Sequence, residues 1–342
     1  MFNTLTPSYQ HLIFQFFLSG LIGFVLGMLV TKAAVMSFSK LGLLDFPERY
    51  NLTRNKIPYP GGILFVFLLP LLLFLDLLFL PMVIGAGLLG IISFWDDRYP
   101  LSAFLRLGVH VLIATGIWGM GISIDFITNP FVENNISVIT SSFLSWGLTV
   151  FWILLLQQAL NWFDGIKGLA IGVSGVGFFV LGLLGMIKPE LFYDLNNASN
   201  TIASMFFAGL CIGSFVFYKK GKILLGDSGS QVLGFLLATM ALVSGAKIAT
   251  TLLVLSVPCI DFGVVILRRV FIDKKSPLKG DAKHLHHNLS RRWGEQKTTL
   301  ALVGISLGLG LLGLFTSGIS KIIALGVAGV FVLCLAFWAY KK

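Results

Sequence analysis

Carboxylates and imidazoles stand out in this sequence because almost everything around them is apolar. Asp96 and Asp97 are adjacent in Phe94-Trp95-Asp96-Asp97. Asp164 lies in Asn161-Trp162-Phe163-Asp164-Gly165, Asp227 in Gly226-Asp227-Ser228-Gly229-Ser230, and Asp261 between two apolar runs. Three of the five histidines, His284, His286 and His287, crowd the stretch GDAKHLHHNL, residues 280–289. A carboxylate at the border of an apolar run is costly to desolvate unless it is paired, protonated or bound to a cation. One such acid could rest in a salt bridge to a neighbour such as Arg98 or Arg268. That explanation does not extend to five, and the adjacent Asp96 and Asp97 repel each other and favour a divalent ion. The glycines and hydroxyls around Asp227, including Gly226 and Ser228, would leave backbone N–H groups free near a helix start, where phosphate binds well. Together these features suggest Mg²⁺ or Mn²⁺, hard cations that take oxygen ligands and bridge a carboxylate to a phosphate. The H-x-H-H spacing is poor for zinc, since adjacent loop side chains seldom converge on one ion and no cysteine is near. Contact with a polyphosphate fits better, with Lys279, Lys283, Arg291 and Arg292 adding positive charge.

These residues need elements to hold them, and composition says which kind. The chain has 342 residues, 56% hydrophobic and 12% charged, with a mean hydropathy of +0.90. Apolar runs recur along nearly the whole length, which marks an all-α polytopic membrane protein. A span needs about 20 apolar residues. Eleven stretches qualify, some of them short: 12–36, 60–75, 77–94, 103–121, 142–160, 165–187, 198–217, 229–245, 248–266, 298–316 and 320–340. The run from Gly61 to Trp95 is too long for one helix and is best divided at Asp76. The first run follows polar residues without a basic leader or a small-residue cleavage site, so it reads as a retained span. All but Lys188, Lys247 and Lys321 of the 25 lysines and arginines then fall on one side. By the positive-inside rule the N-terminus is outside and the C-terminus cytoplasmic.

The net charge of +10 therefore reflects that bias, with attraction to anionic headgroups or an anionic substrate, and does not suggest nucleic acid. The three cysteines lie in apolar runs without CxxC spacing, which excludes a disulfide framework and a thiolate metal site. Residues 1–342 read as one transmembrane domain with cytoplasmic loops at about 37–60, 95–103, 161–168, 218–230 and 262–297. The outer segment 121–140 alternates apolar and polar residues around an Asn-Pro turn and could form a small β-hairpin. Gly168 and Gly172 have the small-xxx-small spacing of closely packed helices. A bundle of this kind could also pair as a homodimer.

In order and spacing, D-x-P…P-x-P-G-G, F-x-D-D, N-x-x-D-G, K-I-x-x-G-D-S-G-S, P-x-x-D…R-R and S-P-x-x-x-D-x-x-H-L-H-H resemble the polyprenyl-phosphate N-acetylhexosamine-1-phosphate transferases of glycosyl transferase family 4. The resemblance covers roughly residues 40–300. The D-x-x-H-L-H-H form is closer to the undecaprenyl-phosphate GlcNAc-1-phosphate transferases than to the phospho-MurNAc-pentapeptide translocases. What it implies is transfer of N-acetylhexosamine-1-phosphate from a UDP-sugar, UDP-GlcNAc first, to undecaprenyl or another polyprenyl phosphate. UMP leaves, and the lipid-linked product serves cell-envelope glycan synthesis at a bacterial inner membrane. By the same implication Asp227 is the leading Mg²⁺ ligand, with Asp97 beside it. Asp96 and Asp97 position the lipid phosphate, one of them as a candidate base. Asp164 and Asn161 line the nucleotide-sugar site with Lys167, Gly226, Ser228 and Asp261 around them, and His284, His286 and His287 contact the diphosphate or sugar.

Two positions depart from that pattern. A second acid usual in N-x-x-D-G-x-D-G is Lys167 here, either in a salt bridge to an acid such as Asp164 or in contact with the donor. A basic cluster expected before Pro58 falls on Tyr50, Asn51, Leu52 and Thr53, with Arg49, Arg54 and Lys56 nearby. The rival class is a membrane transporter or flippase. Transport sites lie near the bilayer midplane at broken helices, whereas these acids lie at the borders of the spans.

Overall fold

A computed structural model describes residues 7–50, 55–128, 136–139, 141–187, 195–244, 247–276 and 283–340. Thirteen α-helices run through them: α1 (Pro7–Ser37), α2 (Ile63–Leu68), α3 (Leu80–Arg98), α4 (Ala103–Gly119), α5 (Ser142–Phe163), α6 (Leu169–Ile187), α7 (Leu195–Lys219), α8 (Asp227–Val243), α9 (Ile248–Val254), α10 (Ser256–Leu267), α11 (Leu285–Trp293), α12 (Glu295–Phe315) and α13 (Gly318–Tyr340). Seven of these elements are long and apolar enough to cross a membrane, and the bent pair α9–α10 makes an eighth if it is one span. Each of the eleven apolar stretches coincides with helix, but three are shorter than a full span. These are Ile63–Phe74, Ala103–Gly119 and Asp227–Val243. The 17 residues of α4 and of α8 reach about 25 Å at 1.5 Å per residue, somewhat less than a hydrocarbon core. The first is broken because Pro70 starts a 3-10 segment, Leu69–Phe74. The chain does divide at Asp76, which accepts the Leu78 N–H at 2.9 Å and so caps a second 3-10 turn.

The bend of 80° between α9 and α10 falls at Leu255. Pro258, in the first turn of α10, has no N–H to continue the ladder, so a new helix direction starts there without losing a bond. α1 and α7 pack backbone to backbone: Cβ atoms added at Gly209 and Gly213 would fall on the carbonyls of Gly20 and Phe24. That is a small-xxx-small contact. The expected pair approaches α7 closely as well: Gly172 faces Phe215 and Val303, and a Cβ at Gly168, in the turn before α6 with φ +77°, would stand 2.9 Å from the Lys219 backbone. The hairpin expected over 121–140 is present as β1 (Phe126–Thr128) and β2 (Ile136–Val138), antiparallel, with Phe126 opposite Val138. Asp125 anchors it by accepting from Ser145 Oγ at 2.9 Å, and Ser145 in turn accepts from Trp118.

Candidate active site

The polar segments between helices meet at one end of the bundle. Residues 58–62 lie against the loop before α8: Gly61 and Gly62 N–H groups donate to the carbonyls of Leu224 and Leu225 at 2.7 and 2.8 Å, and the Leu224 N–H donates to Pro58. Asp45, the acid of the D-x-P motif, accepts the Ile57 N–H and closes this segment. Arg98 holds it from the other side through the carbonyls of Gly42, Leu44 and Tyr59. The result brings Tyr59 onto the acid pair at the end of α3. Tyr59 donates its hydroxyl to Asp97 Oδ1, which also accepts the Asp227 N–H at 2.9 Å. Asp97 Oδ2 accepts the Ser228 N–H at 3.1 Å. Asp97 is thus the cap of α8, supplied by a different helix.

This corrects the expectation of an open phosphate seat at Gly226-Asp227-Ser228. The first-turn N–H groups are already engaged, two by Asp97 and those of Gly229 and Ser230 by the Gly226 carbonyl. Gly226 is required for this geometry. Its φ is +77°, and a Cβ would stand 2.8 Å from Pro60 and 2.9 Å from Asp97 Oδ2. Ser228 is fully buried beneath it.

Asp227 points the other way, into a polar cleft. Its Oδ1 accepts from Asn161 Nδ2 at 2.9 Å, and the same amide donates to Ser230 Oγ at 3.1 Å. Its Oδ2 lies 3.4 Å from Arg106 Nη1, which also pairs with Asp96 Oδ2 at 2.9 Å. Asp96 accepts the Leu101 N–H as well, so it is fully occupied as the partner of Arg106 and the turn before α4. Asp164 completes the group. Burial raises its pKa well above the ordinary carboxylate range, and the charges of Asp227 and Asp97 raise it further, against one N–H donated by Gly226. Asp96, Asp97, Asp164 and Asp227 therefore converge, from the ends of α3 and α5 and the start of α8. Arg106 and Tyr59 had no expected role. Arg106 follows Asp96 by ten residues and precedes a long apolar run, which is the kind of placement that marks a cation meant for an acid.

The histidine segment docks against the same place. Asp261 accepts from His284 Nδ1 and from the Leu285 N–H, both at 2.9 Å, and so orients His284 and caps α11. His284 packs edge-on to Trp162, and His286 to Phe163, at 5.8 and 5.3 Å between ring centres. A Cβ at Gly165 would collide with His286 Nε2 and stand 2.8 Å from His287 Nε2, so the loop leans directly on the residue after Asp164. His286 is fully buried, which leaves His287 as the member at the rim. Burial, then the charges of neighbouring histidines, lowers the pKa of both His286 and His287. The flanking cations do not gather here. Arg292 stacks on Trp338 at 4.5 Å, Arg291 donates to Asn288, and Lys283 Nζ is 4.0 Å from Asp273. Lys279 and Asp281 lie outside the described residues, as do Asn51–Arg54 of the expected basic cluster. Lys56 pairs with Glu48 at 3.5 Å. Lys167 makes its salt bridge to Glu295 of α12 at 3.0 Å, not to Asp164.

An apolar groove of about 370 Å³ leads away from the acids between α4, α5 and α10. Leu107, Phe151, Leu154, Leu155 and Phe262 line it, and Arg106 and Asn161 form its polar end. The fold and this site define a polytopic membrane protein whose acid cluster lies at the end of an apolar groove. The chain matches the profile of glycosyl transferase family 4 over residues 79–245. It is 29% identical, over 85% of its length and 87% of the relative's, to the undecaprenyl-phosphate alpha-N-acetylglucosaminyl 1-phosphate transferase of Thermotoga maritima. It is 26% identical, over 81% and 77%, to the probable undecaprenyl-phosphate N-acetylglucosaminyl 1-phosphate transferase of Bacillus subtilis. The decaprenyl-phosphate N-acetylglucosaminephosphotransferase of Mycobacterium tuberculosis is 26% identical over 88% and 82%.

Proposed function

We propose that the protein transfers N-acetylglucosamine-1-phosphate from UDP-GlcNAc to a polyprenyl phosphate, releasing UMP and leaving a diphosphate-linked lipid sugar. The observation that carries this reading is the shared membership of Arg106 and Asn161: both line the apolar groove, and both bond Asp227. An isoprenoid chain in the groove would present its phosphate to the Arg106 guanidinium, beside the acids. The names of the relatives support a prenyl-phosphate acceptor and a GlcNAc-1-phosphate group. The orientation follows the basic residues, with this end of the bundle on the cytoplasmic face of a bacterial inner membrane and eleven crossings if the short helices span.

The donor set fits a hard divalent cation, because Asp227 and Asp164 are oxygen ligands crowded against each other and against Asp97. Mg²⁺, when bound, would neutralise phosphate charge and align the two reacting groups. Asp227 and Asp164 would hold it. Asp97, with three donors on its oxygens, keeps Asp227 in place and has little room left as a ligand. Asn161 fixes the Asp227 carboxylate, and His287 and Asp164 face the nucleotide-sugar side. The acceptor phosphate is largely ionised near neutral pH, so no residue needs to act as its base. Purified protein given undecaprenyl phosphate, Mg²⁺ and a panel of UDP-N-acetylhexosamines should release UMP with UDP-GlcNAc. No UMP with any donor, or an unchanged rate in Asp227→Asn, would overturn the reading.

A further inference from the structure

A second constellation lies beside the acids and has no part in the chemistry above. Asp261 comes from α10, His284 is the residue before α11, and His286 is in its first turn. His284 Nδ1 is 2.9 Å and His286 Nδ1 3.9 Å from the same oxygen, Asp261 Oδ2. One ligand atom from each of the three lies within 4.8 Å of the others. All three are buried: Asp261 is 3% exposed, His284 5% and His286 0%. The other Asp261 oxygen is committed to the Leu285 N–H. Among the described residues neither nitrogen of His286 has a hydrogen-bond partner. An orphaned buried polar group is destabilising, because it gives up its bonds to water and gains none in return. An apolar side chain against Phe163 would avoid that cost, so the imidazole calls for a partner that the described residues do not provide.

The sequence argued against zinc because neighbouring histidines seldom converge. Here the backbone is extended at His284 (φ −91°, ψ 156°) and helical from Leu285 onward. This change of direction lets the two rings stack 5.3 Å apart at 24° and turn the same edge to Asp261. A four-coordinate ion with bonds of about 2.1 Å spaces its ligand atoms by about 3.4 Å, which the separations of 2.9 and 3.9 Å bracket. Two imidazoles and one carboxylate suit Zn²⁺ and leave its fourth position for water. We propose that Asp261, His284 and His286 form a zinc site, separate from the hard-cation site at Asp227, that ties α11 to α10.

The test does not require turnover. Full-length protein in detergent, stripped with a chelator, is titrated with Co²⁺ while the visible absorption of the four-coordinate ion is followed. Wild type should take up about one equivalent, displaced by Zn²⁺ and not by Mg²⁺, and Zn²⁺ should raise its Tm. His286→Leu, which removes only the orphaned ring, should fold and lose both the absorption and the Zn²⁺-dependent rise. Should His286→Leu not fold, Asp261→Asn serves the same comparison, and Asp227→Asn should keep the signal. No four-coordinate signal in wild type, retention of the signal in His286→Leu or Asp261→Asn, or its loss in Asp227→Asn would each overturn the proposal. The first of these leaves Asp261 and His284 as a hydrogen-bonded pair only.

Discussion

Four aspartates that a reader of the sequence would group together divide into different jobs at the residue scale. Asp97 is a helix cap with three donors, Asp96 is the partner of Arg106, Asp227 is held by Asn161 and Arg106, and Asp164 lies buried against the charges of Asp227 and Asp97. Substitution should separate them. Asp97→Asn places an NH₂ group against an N–H and weakens charge-assisted bonds, so it should lower thermal stability by about 1–2 kcal/mol as well as activity. Asp227→Asn should abolish UMP release while leaving Tm unchanged or slightly higher, since a charge leaves a crowd of like charges. Thermal melts and UMP release on the same preparations check both. Arg106→Ala leaves Asp96, whose side chain is 5% exposed, without its cation. A loss of about 1–3 kcal/mol is expected, together with a KM for the lipid acceptor raised more than that for the donor.

Glycine decides how closely elements can approach one another. At Gly226 the backbone conformation and the Asp97 carboxylate both exclude a side chain, so Gly226→Ala should cost more than the usual substitution, about 2 kcal/mol or more, and should reduce activity with it. Gly165 shows the same constraint between elements. A methyl there would push His286 away, so Gly165→Ala should speed hydrogen exchange over Leu285–Trp293 while leaving α5 protected. Such a pattern would place the effect on the docking of α11 alone. Uniform loss of protection would instead mean a general loss of packing. The Lys167–Glu295 pair, with both side chains more than 40% exposed, is worth about 1 kcal/mol or less.

On the scale of the whole molecule, the bend at Leu255 and the short α4 shape the groove. α10 leaves the line of α9 by 80° and sets Phe262 against Trp162 at 4.6 Å, which opens the wall facing α4 and α5. A long isoprenoid gains about 0.8 kcal/mol for each CH₂ group it buries there. Leu155→Trp should therefore raise the KM for undecaprenyl phosphate by about tenfold or more while leaving a short prenyl phosphate nearly unaffected. Equal losses for both acceptors would show that the groove does not hold the chain.

Much of this was legible in the residues. Every apolar run proved to hold helix, although α11 lies outside them, Asp76 marked the break, and acids placed at the ends of apolar runs announced a site at one end of the bundle. Helix location depends on local composition, which sequence carries directly. Partnership did not follow in the same way. That Asp97 caps a helix 130 residues away, that Arg106 reaches both Asp96 and Asp227, and that Asp261 holds His284 depend on which helix ends are neighbours. The glycine contact of α1 with α7 likewise appeared only with packing. Sequence by itself therefore determined that this is a membrane protein with oxygen-rich chemistry at the ends of its helices. Tertiary structure alone decided which carboxylates remain free for a ligand, because each hydrogen bond accepted from another segment removes a lone pair, and only packing brings those segments together.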